Sequence, residues 1–136
     1  MKLVNVATAV ALDLPNSLLW EDEFDWSPVV SDQAHSTTGA LMIDLWVKQA
    51  GRPISLRAAE EDMGWVSRST AQTLLAWAAQ PGLQLRLELE YQSDTRNFNV
   101  VFDSTAGQPV TAVPVRGFPS HGPEDEFRVT IKLTEV

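Results

Sequence analysis

Apolar side chains recur at every second position in three separate stretches, and this spacing is the feature that most restricts the fold. The clearest stretch runs from Leu83 to Tyr91, where leucines alternate with glutamine, arginine and glutamate. Stretches 98–102 and 127–133 repeat the pattern. Because successive side chains of a strand point to opposite faces, each stretch has one apolar and one polar face. The spacing predicts an antiparallel sheet that is buried on one side.

The stretch from Leu41 to Val47 differs because both of its faces are apolar. Four aliphatic residues fall on one face, while Met42 and Trp46 fall on the other. This composition is typical of strands that are covered on both sides. We therefore expect this strand at the centre of the sheet or beneath other elements. Composition predicts further strands at 4–12, 53–57 and 111–115.

One segment has a helical period instead. Residues 71, 74, 75 and 78 are alanine or leucine at the spacing of a helix face, and Trp77 widens that face. Ser69 is the expected N-cap, and Pro81-Gly82 is expected to end the helix. The chain is therefore predicted to be α+β, a mostly antiparallel β-sandwich or barrel with one flanking helix at about 70–80.

Composition restricts the number of domains and the possible partners. The 136 residues, 44% of them apolar, are ordinary for a single domain spanning 1–136. The net charge of -8 disfavours binding to nucleic acid or to an anionic membrane. No apolar run reaches the ~20 residues of a membrane span, and Asp13 ends the opening segment too early for a signal peptide. We expect cytosolic synthesis and no membrane partner.

The sequence offers few groups for catalysis. It has no cysteine and only two histidines, His35 and His121, so a zinc site would need both of them and a distant carboxylate. Ser67 and Ser69 lack the flanking glycines of a nucleophile elbow. We predict no catalytic residue, no metal and no cofactor. Three acidic triplets, 21–23, 60–62 and 124–126, leave a carboxylate hydrolase as an alternative, although carboxylates in polar loops are usually solvated.

Aromatic residues are concentrated in the first acidic segment. Trp20, Phe24 and Trp26 fall on alternate or near-alternate positions, so in a strand they would share one face. Core packing is the commonest reason for such a stripe. An exposed stripe would suit a subunit contact or a sugar platform, and the sequence leaves these readings open.

Three parts of the chain resemble the small tail proteins of long-tailed bacteriophages and prophages. They are Leu14–Phe24 with Trp26–Val29, Gly39–Ile43 running to Lys48–Leu56, and Ala78–Leu83 leading into the hairpin that ends at Phe102. The order of a strand carrying Gly-Arg-Pro-Ile, a capped helix and a long hairpin also resembles distal-tail and tail-tube proteins. Larger distal-tail proteins carry a second domain, often of carbohydrate-binding type, for which this chain has no room.

The resemblance implies a non-enzymatic structural subunit of a tail tip or baseplate. Such a subunit would form a cyclic homo-oligomer, six-fold by family analogy, that joins the tail tube to the distal apparatus and lets DNA pass without sticking. Its other partners would be tail-tube and baseplate proteins. It would be assembled in the host bacterial cytoplasm and would reside in the virion tail.

This interpretation assigns roles to individual residues. Arm-like segments are expected at 13–38 and 107–126, which are punctuated by proline. Carboxylates facing the lumen would repel DNA, and Glu60, Glu61 and Asp62 are the candidates. The expected interface anchors are Trp20, Phe24, Trp26, Arg52 and Phe118. The main alternative is a carbohydrate-binding module with exposed tryptophans, and a small hydrolase with two convergent carboxylates is the third.

Overall fold

The computed structural model describes residues 1–116 and 122–136, which form eleven strands and one helix. The strands are β1 (Lys2–Asn5), β2 (Ala11–Asp13), β3 (Leu18–Trp20), β4 (Val29–His35), β5 (Leu41–Val47), β6 (Pro53–Ala58), β7 (Trp65–Ser67), β8 (Leu85–Glu88), β9 (Asn97–Phe102), β10 (Val110–Pro114) and β11 (Glu126–Glu135). The helix, α1 (Arg68–Ala78), lies between β7 and β8.

Strand β11 organises the larger sheet, because its ten residues pair with four other strands. Strands β6 and β7 pair along one edge of β11, and β9 and β10 pair along the other. The sheet continues from β9 through β8 and β1 to β2, and from β6 to β3. Every pairing is antiparallel. The predicted α+β architecture, mostly antiparallel with one flanking helix, is confirmed.

The two-residue spacing correctly identifies the side chains that form the core. In β8, Leu85 and Leu87 are fully buried whereas Arg86 is exposed, and Leu85 lies opposite Val100 of β9 in the predicted hairpin. In β11 the buried side chains are Val129, Ile131 and Leu133. They join one hydrophobic cluster with the inner face of α1, which contributes Ala71, Leu74 and Trp77.

Helix α1 begins earlier than predicted because a different serine caps it. Ser67, and not Ser69, is the N-cap, and its side-chain oxygen accepts a hydrogen bond from the backbone N–H of Thr70. A cap of this kind satisfies one of the N–H groups that the first turn leaves without a partner. Leu75, expected in the buried stripe, is 46% exposed.

The segment predicted as one strand at 4–12 is two strands joined by a turn. The side chain of Asn5 is buried, and its Oδ1 accepts a hydrogen bond from the N–H of Ala7 at 3.0 Å. Asparagine often initiates turns by binding its own backbone in this way. Ala9 completes the turn at φ +59°, and β2 then folds back beside β1.

Strands β4 and β5 form a separate two-stranded sheet, which we call the β-arm. The prediction that the 41–47 strand is central or covered on both faces is wrong, because all seven residues of β5 are exposed. The predicted arm-like character of 13–38 applies to its second half, where β4 belongs to this ribbon. The core residues nearest to the β-arm in sequence are Trp20 and Ile54, so the β-arm lies outside the core.

Candidate functional site

The β-arm is the largest apolar feature that the described residues leave uncovered. Leu45 and Val47 are each 65% exposed, and the other large apolar side chains of β5 are at least half exposed. Monomeric proteins rarely expose contiguous apolar surface of this kind, and larger patches usually mark interaction sites. A two-stranded hairpin by itself is at best marginally stable in water. The β-arm therefore combines exposed apolar surface with a strand pair that has little stability of its own.

Strand register divides the β-arm into two different faces. One face, which we call the leucine face, has no acidic residue, no lysine and no arginine. The other, which we call the aspartate face, places Asp32 directly opposite Asp44. The leucine face consists of Val29, Ser31, Gln33, His35, Leu41, Ile43, Leu45 and Val47. The aspartate face consists of Val30, Asp32, Ala34, Met42, Asp44 and Trp46.

Both long edges of the β-arm present backbone groups without a strand partner in the described residues, since β4 and β5 pair only with each other. The N–H of Lys48 donates to the carbonyl of Pro28 at 2.7 Å, and the N–H of Ser36 donates to the carbonyl of Ala40 at 2.8 Å. These bonds fix the even-numbered residues as the pairs that bond across the ribbon. The odd-numbered residues, which form the leucine face, therefore direct their N–H and C=O groups outward.

A stack of aromatic and cationic side chains joins the β-arm to the body. The guanidinium of Arg52 lies 4.9 Å from the ring centre of Trp26, and the ammonium of Lys48 lies 5.7 Å from the same ring. Cations at these distances are attracted to the electron-rich face of indole. The backbone of Arg52 is held as well, because its carbonyl accepts a hydrogen bond from the N–H of Glu135 at 2.9 Å. Arg52 therefore links the base of the β-arm to β11.

A second arginine connects the acidic turn after β3 to the loop between β8 and β9. Arg96 contacts Asp94 at 2.7 Å and Glu23 at 2.8 Å. Its guanidinium also lies 5.6 Å from the ring centre of Trp20 and 5.4 Å from that of Phe98. Hydrogen bonds from the Arg96 side chain, and then from its backbone, hold the pKa of Asp94 below its ordinary value.

The predicted aromatic stripe is not a single face. Strand β3 ends at Trp20, which is 6% exposed and packs edge-on against Phe98 at 5.3 Å. Phe24 lies in the following turn and is 92% exposed, whereas Trp26 is half-buried in the stack with Arg52. The rings diverge because a turn, and not a strand, carries the chain from Glu21 to Asp25. Phe118, the fifth predicted anchor, lies outside the described residues.

The second acidic triplet lies far from the β-arm. Glu60, Glu61 and Asp62 are exposed in the loop that follows β6, whereas the β-arm leads into the first residue of β6. Six residues of extended chain separate the two sites by about 20 Å. The loop ends at Gly64, whose φ of +70° and close contacts with Ala58 and Leu18 leave no space for a side chain. The 60–62 loop and Arg52 thus lie at opposite ends of β6.

The loop that carries Glu60, Glu61 and Asp62 borders an open groove of about 350 Å³. Its polar lining residues include Arg57, Glu60, Glu61 and Arg128. The general acid of a glycoside hydrolase is typically a carboxyl group whose pKa is raised by burial in an apolar pocket. Both of these glutamates are exposed, and Arg57 pairs with Glu21 at 2.7 Å outside the triplet. The groove therefore offers charged surface and no buried acid for the hydrolase reading.

No group of three acidic or histidine side chains in the described residues is arranged to hold a metal ion. His35 lies at the end of β4 on the β-arm, and His121 lies outside the described residues. Among the helices of the described part of the chain, none has the length and apolar character needed to cross a membrane.

Comparison of the chain with protein-family models, with curated proteins and with solved structures gives no match. The site therefore has to be interpreted from its own geometry. Sequence reasoning proposed Trp26 and Arg52 as interface anchors and an arm at 13–38, but it did not pair β4 with β5 in one ribbon. The available signal was the second apolar face of the 41–47 stretch, together with the turn Ser36–Gly39 that joins it to another strand of equal length.

Proposed function

We propose that the chain is a non-enzymatic structural subunit of a bacteriophage tail tip or baseplate. In this role, copies form a ring that joins the tail tube to the distal tail apparatus and lets DNA pass. The observation that carries the proposal is the β-arm, an apolar ribbon that lies outside the core and is left uncovered by the described residues. The sequence resemblance is the reason for naming a phage tail as the particle. The exposed β-arm is the reason for expecting partners.

Ring assembly accounts for the position of the β-arm outside the core. A closed ring uses a head-to-tail contact, in which one patch of each subunit meets a different patch of the next. An arm extending from one end of the body suits such a contact, because it reaches beyond the surface of its own subunit. Phe24, exposed in the turn that precedes the arm in sequence, and Trp26 would add aromatic anchors.

The charge of the chain suits a channel that must not retain DNA. A net charge of -8 repels phosphate, and the three exposed acids of the 60–62 loop concentrate negative charge at one end of β6. We assign this loop to the lumen of the ring. Replacing Glu60, Glu61 and Asp62 with lysine is then expected to impair DNA delivery while particles still assemble.

The lysine variant has a graded control. The amide variant, in which the same residues become Gln, Gln and Asn, removes the negative charge without adding positive charge and should show an intermediate defect. Infectivity would be compared with the number of complete particles seen by electron microscopy. Unchanged infectivity of the lysine variant would refute the lumen assignment and leave the structural role in place.

Location in the particle tests the structural role itself. Virions or tails from the producing strain would be labelled with gold-conjugated antibody against the purified chain. Label at the distal end of the tail is the expected result. Label that is absent from disrupted tails as well as intact ones, while the chain is abundant in the lysate, would rule the proposal out.

A carbohydrate-binding module is the second candidate, favoured by the exposed ring of Trp46 beside Asp44 on the aspartate face. The indole could stack on a sugar ring while neighbouring carboxylates accept hydrogen bonds from the sugar hydroxyl groups. This reading requires a monomer whose tryptophan fluorescence changes on titration with glycans. The Trp46→Ala variant would abolish that change, whereas Trp65→Ala would not.

A further inference from the structure

The two faces of the β-arm differ in charge, and this difference indicates which of them a partner covers. We propose that the leucine face packs against a second copy of the chain while the aspartate face stays in water. The inference rests on the proposed function, because it names the surface through which the copies make contact.

The aspartate face is a poor surface to bury. Asp32 and Asp44 are directly opposite in a hydrogen-bonded pair, where the Cα atoms of neighbouring strands lie about 5.5 Å apart. Like charges in this position repel each other and already weaken the ribbon. Removing water from both carboxylates would add a large desolvation penalty that the repulsion makes worse. Contact with water is therefore the favourable state of this face.

The leucine face, by contrast, is a favourable surface to bury. Val29, Leu41, Ile43, Leu45 and Val47 are each 50–65% exposed. The face has no lysine, arginine, aspartate or glutamate to desolvate, so covering it removes apolar surface from water without stranding a charge. The outward backbone groups belong to the same residues, so a neighbouring strand could pair with the edge while its side chains cover the face.

A second copy is the occupant that suits this surface. One face of the β-arm is about 23 Å long and 10 Å wide, which gives roughly 230 Å² in projection. A standard stable interface buries about 800 Å² on each partner, so a single arm contact is too small alone. In a ring of identical copies each subunit donates one arm and receives another, so arm contacts bury roughly 460 Å² on each subunit in two separate interfaces. Closure of the ring couples these interfaces, so none of them has to be stable alone. Nucleic acid and anionic lipid are disfavoured by the net charge of -8.

Neighbouring residues on β5 provide a matched test. Ile43 and Met42 are 50% and 53% exposed, but they lie on the leucine and aspartate faces respectively. Sedimentation velocity would compare wild type with Ile43→Lys and Met42→Lys over a range of concentrations. We expect Ile43→Lys to weaken self-association by about 100-fold or more, and Met42→Lys by no more than about threefold. Circular dichroism would check that both variants fold.

Amide hydrogen exchange gives an independent readout on the wild-type chain. The N–H groups of Ile43 and Leu45 point away from β4, so their exchange should slow on association if the β5 edge is covered. The N–H groups of Met42 and Asp44 bond across the ribbon and should change less.

The outcomes separate this inference from the proposed function. A stronger effect of Met42→Lys than of Ile43→Lys would overturn the assignment of the faces. Equal and small effects, with association intact, would show that copies join elsewhere, and a ring subunit would remain possible. A wild-type chain that stays monomeric while lipid vesicles or another tail protein slow exchange at Ile43 would overturn the second copy as occupant. The gold-antibody labelling, which locates the chain in the particle, tests the proposed function separately.

Discussion

Strands β8 and β5 both carry aliphatic residues at alternate positions but have opposite environments in the structure. Strand β8 is flanked by β1 and β9, and its leucines point into the core. Strand β5 has β4 on one edge, and all of its residues are exposed. Alternation of apolar residues therefore indicates that a segment is extended and which side chains share a face. Alternation does not indicate whether the cover for that face comes from the same chain.

Truncating one leucine on each strand should give the largest difference between them in the free energy of unfolding that is lost. Leu87→Ala, at a fully buried position, should lower the free energy of unfolding by about 2–5 kcal/mol. Leu45→Ala, at a position 65% exposed, should change it by no more than about 0.5 kcal/mol in the monomer. Urea denaturation at low protein concentration measures both values. Similar losses in the two variants would mean that β5 packs on the body after all.

The base of the β-arm predicts a smaller contrast between two arginines. Arg52→Ala should destabilise the monomer by about 1–2 kcal/mol, because its partly buried guanidinium contacts the rings of Trp26 and Phe98. Arg57→Ala is the control, since its ion pair with Glu21 is exposed and such pairs contribute about 0–1 kcal/mol. The same denaturation experiment applies. An Arg52 variant as stable as the Arg57 variant would show that the stack does not hold the arm.

The smallest expected effect concerns pH. Hydrogen bonds from Arg96 lower the pKa of Asp94 in the folded state, so ionised Asp94 favours folding above its ordinary pKa of about 3.9. This contribution is lost as the pH falls through the lowered pKa. Asp94→Asn should therefore flatten part of the decline in stability with acid, as measured by thermal melts between neutral pH and about pH 2. A wild-type NMR titration that places the Asp94 pKa at or above its ordinary value would contradict the geometry.

Most of the sheet could be predicted because its strands carry their own pattern. The hairpin of β8 and β9, the long β11 and the helix all follow from local spacing, and the errors there are small. Ser67 replaces Ser69 as the cap because two serines lie close to the start of the helix, and the sequence cannot show that Ser67 is extended while Ser69 already belongs to the first turn. Asn5 divides the opening strand because its side chain binds the following backbone.

The candidate site was less accessible to sequence reasoning, because its parts depend on contacts between distant segments. Trp26 and Arg52 were identified by residue type, but their stacking requires the two ends of the β-arm to meet. The alternation that places Leu45 and Val47 on one face would be the same in a buried strand. Only the tertiary structure shows that the described residues leave this face uncovered.

Assembly of a ring through the β-arm is tested most directly by electron microscopy and sedimentation of the purified chain. The same measurements would be made on a variant that lacks the β-arm. In that variant a short glycine-serine linker would join Pro28 to Lys48, whose backbone groups are already hydrogen-bonded. Wild type is expected to form uniform closed rings, and the variant is expected to be a folded monomer. A wild-type chain that remains monomeric at about 100 µM, or rings that persist without the β-arm, would contradict assembly through the β-arm.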